Sequence, residues 1–354
     1  MKFIHCADLH LDTPFAGLSD SRSAEIRQAE LRQTFLRIIE LAKDCDALFV
    51  SGDLFDQNSV EPETIRTLAK GFSSLGETKV FIAAGNHDPL HEQSYYRLAG
   101  FSSNVHIFAP QTECVPVGDC DVYGISFRQG LQPESLLAGF QAMEGRPSVM
   151  VMHGNIGGGD YNPLTREEIA ESGFSYLALG HVHNHQEMRF GKTLCAYPGC
   201  PEGRGFDELG EKGVIIGEVT KEGVTTSFVP VSGRTYHEVS LDIAGMDTQE
   251  ELIAGIRESL GEVKDLYKIV LKGESELTPR TEVIKEALSE FFFVKIYDRT
   301  ERPLALDALA RETGLRGLFA QKILAEKSEE KEALYRRALM YGIAAMAGEK
   351  VKLK

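Results

Sequence analysis

Short apolar runs recur along the first half of the chain, and each ends in polar residues. Residues 2–7, 46–51, 79–84, 148–152 and 176–179 read as buried strands. Between the first three, apolar positions recur at helical spacing. Ile26, Leu31, Phe35, Ile38, Ile39 and Ala42 predict an amphipathic helix over 23–43. Pro62, at a first turn, opens a second helix over 61–71. The order β-α-β-α-β predicts an α/β sheet with its site at the C-terminal strand ends. From 105 to 127 the helical period stops, and strands over 105–108, 114–117 and 122–126 predict an antiparallel section. A brief helix is expected over 133–139. Thr165 with Glu168 forms a capping box for a helix ending at 171. Strands over 193–197, 213–219 and 224–229 follow, the last two as a hairpin at Gly223.

After Ser232-Gly233-Arg234 the pattern changes. Strands over 236–243, 267–272 and 291–297 alternate with helices over 248–260 and 281–288, which predicts a small α+β module. From Leu304 onward the chain reads as helical, with residues 327–332 a solvated charged turn. The expected division is 1–233, 234–300 and a helical tail, 301–354.

The strand ends carry Asp8 and His10, Asp53 and Asp56, Asn86 and His87 within Gly85-Asn86-His87-Asp88, His153, and His181 and His183. If the first strand runs on through them, Asp8 and His10 share one face. A lone histidine such as His153 is ordinarily structural. Polar clusters at five equivalent outlets are not core material, and bare carboxylates there repel without a cation. Asp8, His10, Asp53, Asn86, His153, His181 and His183 offer oxygen and nitrogen donors and no thiolate. That is too many for one tetrahedral zinc. It suits two adjacent first-row ions sharing a carboxylate, with Mn or Fe favoured. Such ions, about 3.5–4 Å apart, activate a bridging water and stabilise charge on a phosphoryl oxygen. His87 lies outside the ligand set and is placed to serve the leaving oxygen, with Asp88 fixing its tautomer.

Of the 354 residues, 42% are hydrophobic, which allows a sizeable core, and no run approaches the ~20 apolar residues of a membrane span. No apolar leader follows Met1, so a cytoplasmic protein is expected. The six cysteines form no C-x-x-C pair and read as reduced thiols. A net charge of −15 argues against nucleic-acid binding over the whole surface. The charge is uneven: residues 299–354 carry twelve basic and eight acidic residues, leaving −19 for the remainder. A local basic groove is therefore not excluded.

D-x-H, G-D-x-x-D, G-N-H-D, an isolated H-G and G-H-V-H, in this order over residues 8–183, resemble the calcineurin-type metallophosphoesterase superfamily. The resemblance implies an α/β fold, a β-sandwich flanked by helices. It assigns Asp8, His10, Asp53 and His183 to a first metal and Asn86, His153 and His181 to a second. Asp53 bridges them, and His87 acts on the leaving group. Residues 7–12, 52–56 and especially 197–213 (Tyr-Pro-Gly-Cys-Pro-Glu-Gly-Arg-Gly-Phe-Asp-Glu-Leu-Gly-Glu-Lys-Gly) are similar to the SbcD/YhaO-like DNA-repair exonuclease branch. Cys200 stands where serine is more usual there. That branch implies a capping domain at 234–300, DNA as substrate, a homodimer, and an SbcC-like coiled-coil ATPase docking on C-terminal helices. The expected activity is Mn-dependent hydrolysis of DNA phosphodiesters in repair, by an exonuclease or endonuclease. The alternatives are a phosphodiesterase for a small nucleotide or lipid-linked substrate, favoured by net charge, and a metal-binding scaffold for an ATPase. Arg204 and His185 are candidate substrate contacts, with Arg128 and Arg234 weaker ones. Gly157-Gly158-Gly159 reads equally as a substrate loop or an exposed turn.

Overall fold

The computed structural model describes residues 1–18, 21–56, 60–303, 306–326 and 332–348. The expected charged turn at 327–332 lies outside the described residues except for Glu332, and so does the tail's start at 304–305. The chain divides into two compact units. The first takes residues 1–238, 262–268 and 291–293; the second takes 239–261, 269–290 and 294–354.

The strands of the first unit, in chain order, begin with β1 (Lys2–Cys6), β2 (Ala47–Ser51), β3 (Lys79–Ala83), β4 (Val105–Ile107), β5 (Glu113–Val117), β6 (Cys120–Gly124) and β7 (Ser148–His153). They continue with β8 (Asn155–Ile156), β9 (Pro163–Leu164), β10 (Tyr176–Gly180), β11 (Gln186–Phe190), β12 (Thr193–Tyr197), β13 (Gly213–Val219) and β14 (Val224–Pro230). Its helices are α1 (Ser21–Ala42), α2 (Pro62–Ser74), α3 (Tyr95–Leu98) and α4 (Arg166–Glu171). Two six-stranded sheets form a sandwich, ordered β14-β13-β1-β2-β3-β4 and β11-β12-β10-β7-β6-β5.

Side-chain alternation explains the layering. Phe3, Phe49 and Phe81 point inward and meet Val149, Val151, Tyr176 and Ala178 of the facing sheet. Their neighbours Ile4, Leu48, Val50, Val80 and Ile82 point outward under α1 and α2, against Leu31, Phe35, Ile38, Leu68 and Phe72. On the other outer face Met150, Met152, Leu177 and Leu179 cover Ile169 and Phe174. Strands buried on both faces read as continuous apolar runs, which is why they stand out in the sequence. Burying each such side chain stabilises the fold by about 1.5–3 kcal/mol.

Several expectations change. The section at 105–127 is only partly antiparallel: β4 pairs parallel with β3, β5 pairs antiparallel with β6, and β6 pairs parallel with β7. Residues 133–139 make turns rather than a helix. Strand β11, not foreseen, pairs antiparallel with β12. Its exposed polar residues mask the strand signal.

The second unit holds α5 (Gln249–Ser259), α6 (Thr281–Ala287), α7 (Leu306–Arg311), α8 (Leu315–Ala325) and α9 (Glu332–Met346). The strands β15 (Tyr236–Asp242), β16 (Leu266–Lys272) and β17 (Phe293–Asp298) form a three-stranded sheet in that order. Thr248 caps α5 through a capping box with Glu251. Leu309, Ala320 and Leu339 hold α7, α8 and α9 together.

Candidate metal centre

The C-terminal ends of β1, β2, β3, β7 and β10 converge, and every residue expected from sequence to be a metal ligand lies in the loops or last residues there. Strand β1 stops at Cys6, so alternation along a strand does not pair Asp8 with His10. Left-handed backbone does: Asp8, His10 and Asp53 have φ of 52°, 44° and 51°, and His181 has 105°. Such conformations cost non-glycine residues about 1–3 kcal/mol each and concentrate at functional sites. Two parallel turns hold them, with Asp8 N–H donating to Gly52 O and His10 N–H to Asp53 O. Gly85 is needed for room rather than for an unusual φ. A Cβ there would lie 2.2 Å from Asp53 Oδ1.

Asp53 Oδ1 accepts the His87 backbone N–H at 2.9 Å. Its Oδ2 then faces His10 Nε2 at 3.7 Å on one side and His153 Nε2 at 3.5 Å on the other. Asn86 Oδ1 lies 2.9 Å from His153 Nε2 and 3.3 Å from His181 Nδ1. Asp8 Oδ1 lies 3.9 Å from His183 Nε2, and both Asp8 oxygens accept from His181 N–H. Donor atoms of Asp8, His10 and His183, and of Asp8, Asp53 and His153, fall within 4.8 Å of one another.

These residues fit divalent ions on their own chemistry. Both ring nitrogens of His10 are buried without a hydrogen bond of good geometry, the nearest carboxylates being Asp56, 3.5 Å from Nδ1, and Asp53, 3.7 Å from Nε2. Leaving such groups unpaired costs roughly 1–3 kcal/mol each, so a ligand is implied. Two fully buried carboxylates, Asp8 and Asp53, stand beside them. Burial drives Asp8 above the usual carboxylate range, which His153 and His183 only partly oppose. Burial also pushes Asp53 up, but His153, His10 and His87 more than offset it and hold it low. Burial, with His153 nearby, lowers His181 to about 4, so its ring is a neutral donor at pH 7.

Groups around the donors orient them. His153 Nδ1 lies 2.9 Å from Ser51 O, and a carbonyl there requires Nδ1–H, which leaves Nε2 as the donor. Asp56 Oδ1 lies 3.2 Å from His87 Nδ1 and 3.5 Å from His10 Nδ1. The hydrogen bond to Asp56 raises the His87 pKa despite partial burial.

One expected role changes, and the two candidate substrate contacts have partners within the chain. Asp88 does not orient His87. Its buried carboxylate accepts from Gly85 N–H, Asp53 N–H, Leu54 N–H, Phe55 N–H and Tyr96 O–H, so it ties the 85–88 turn to the 53–55 loop. Asp56 stands where Asp88 was expected; both end a glycine-led motif, and spacing cannot rank them. Arg204, a candidate substrate contact, pairs through its guanidinium with Glu208 at 2.7 Å and lies 3.0 Å from His183 Nδ1. His185 stacks on Phe228 at 4.6 Å and lies 3.4 Å from Glu187. Glu208, 2.7 Å from His183 Nδ1, is a site residue that sequence reasoning missed. Its only sequence signal is its place in the 197–213 stretch.

A sandwich of mixed sheets with a histidine and carboxylate cluster at its strand outlets defines a metal-dependent phosphoesterase. Residues 1–185 match the calcineurin-like phosphoesterase family, and the chain belongs to it. Members use divalent metal ions, for which the cluster above is the candidate site. The chain is similar to the uncharacterized metallophosphoesterase YhaO of Bacillus subtilis, 26% identical over 298 residues, 77% of this chain and 72% of that one. It is 29% identical to the DNA double-strand break repair protein Mre11 of Methanocaldococcus jannaschii over 57% of each chain. It is 25% identical to the nuclease SbcD of Bacillus subtilis over 59% of this chain and 64% of that one. It therefore spans less than two thirds of those last two relatives. Among the described residues no helix is long and apolar enough to cross a membrane.

Proposed function

We propose that this protein is a two-metal phosphodiesterase that hydrolyses DNA. Asp8, His10, Asp53 and His183 hold one ion, and Asn86, His153 and His181 the other. Asp53, whose Oδ2 lies between His10 and His153, would be the carboxylate shared by both ions, and this position carries the two-ion reading. When bound, the ions activate a water and stabilise charge on the phosphoryl oxygens. Mn is the favoured metal on donor type. Ser51 O fixes the His153 tautomer, and the His87 N–H on Asp53 Oδ1 fixes the carboxylate. His87, whose pKa the neighbouring Asp56 raises, gives a proton or a close positive charge to the leaving oxygen.

DNA is favoured by two relatives whose names are those of a nuclease and a break-repair protein. The capping role of 234–300, docking of a coiled-coil ATPase on the helical tail, a homodimer and a cytoplasmic location belong to the same reading. The net charge of −15 favours a small phosphodiester instead. Purified protein with Mn, end-labelled duplex and single-stranded DNA, and a small chromogenic phosphodiester separates the two. Degradation of DNA by the wild type and not by His87→Ala supports the nuclease. Cleavage of the small diester alone supports the second reading.

A further inference from the structure

Residues 199–212 follow the last metal motif and leave the strand β12 as a long loop. While Asp207 and Glu211 of this loop are exposed, Arg204, Glu208 and Lys212 turn inward. They close on one residue, His183, from two directions. Glu208 Oε1 lies 2.7 Å from His183 Nδ1, and Glu208 is only 6% exposed. Arg204 holds that carboxylate from both ends: its N–H donates to Oε2 and its Nη2 to Oε1, each at 2.7 Å. The backbone carbonyl of His183 accepts from Cys200 N–H at 3.3 Å and from Lys212 Nζ at 3.1 Å. Lys212 is itself buried and also donates to Asn184 Oδ1.

The loop has its own anchor. Glu202, 1% exposed, accepts from Arg27 and Thr34 of α1 and from Gly233 N–H. Arg27 is fully buried and also donates to Gly203 O. The buried ion pair thus ties the loop that braces His183 to a helix of the main core.

We propose that this loop is a cradle for His183, with Glu208 as its positioning residue and Arg204 as the group that aims Glu208. The inference rests on the reading of His183 as a metal ligand. Glu208 at 2.7 Å is nearer to Nδ1 than the Arg204 guanidinium at 3.0 Å, which favours the proton on Nδ1 and leaves the Nε2 lone pair beside Asp8. The charge on Glu208 makes that nitrogen a stronger donor, as carboxylate partners of ligating histidines do. At the other site His153 is held instead by the neutral carbonyl of Ser51. The two metal positions are therefore unequal in how their histidines are supported, and loss of Glu208 weakens the position of Asp8, His10 and His183 selectively.

The test is manganese binding by the full chain, followed by calorimetry and by the EPR spectrum of the bound ions. Glu208→Gln keeps the shape and removes the charge. It is expected to weaken one ion by about 10–100-fold, leave the other unchanged and lose the spectrum of a coupled pair at Mn levels that fill the wild type. Glu208→Asp retains the charge but pulls it back by one methylene, and is expected to show the same one-ion form. Glu211→Gln, exposed in the same loop, is expected to bind as the wild type. Wild-type affinity for both ions in either Glu208 variant, or equal loss of both, overturns the proposal. A wild type that binds no pair of ions overturns instead the two-metal reading beneath it.

Discussion

The Asp56 carboxylate stands 3.2 Å from Nδ1 of His87 and 3.5 Å from Nδ1 of His10. One acid thus stands beside both the ring proposed to act on the leaving group and a ring proposed to hold a metal. The hydrogen bond raises the His87 pKa. A general acid works while protonated, so activity falls as pH rises through that pKa. Asp56→Asn is expected to move the alkaline limb of the kcat profile to lower pH and to reduce turnover at pH 8 by about 10²-fold or more. A pH–rate series on a chromogenic phosphodiester, with bound Mn counted in parallel, checks both.

Asp88, next to His87, is predicted to behave in the opposite way. Four backbone N–H groups and Tyr96 O–H depend on its carboxylate. Asp88→Ala leaves these donors buried and unpaired, at a cost of about 3 kcal/mol or more. Urea unfolding of the metal-free protein is expected to show that loss, while His87→Ala leaves the midpoint nearly unchanged.

Stability should also depend on pH through His5. This ring is fully buried between the sheets, 2.9 Å from Tyr176 Oη and 3.0 Å from Ser51 Oγ. Burial lowers its pKa to about 3. The unfolded chain therefore binds a proton below pH 6.5 that the folded chain refuses. The stabilising contribution is complete above pH 6.5 and is lost as pH falls toward 3, by about 1.4 kcal/mol per pH unit. In urea titrations between about pH 6.5 and 5, His5→Gln is expected to show a slope shallower by about one proton than the wild type.

Much of this was legible in the sequence because the informative strands are buried on both faces. Runs such as Val149-Met150-Val151-Met152 announce themselves, and their polar ends then stand out. Strand alternation pairs Asp8 with His10, yet left-handed backbone is what brings them together, and φ leaves no trace in spacing. Nearness in sequence suggests roles for Asp88 and Arg204. The fold assigns them by nearness in space: Arg204 reaches His183 across 21 positions, and Asp88 reaches Leu54 across 34. Strand β11 was hidden by its exposed polar face.

Asp53 holds the two halves of the centre together, since its Oδ2 faces His10 and His153 at once. Counting manganese on purified protein by equilibrium dialysis is the most direct test of the two-ion site. The wild type is expected to bind two ions per chain, and Asp53→Asn fewer than one at the same free Mn, with no hydrolysis of DNA or of a small diester. A variant that keeps both ions would contradict the shared-carboxylate site, and with it the phosphodiesterase built upon it.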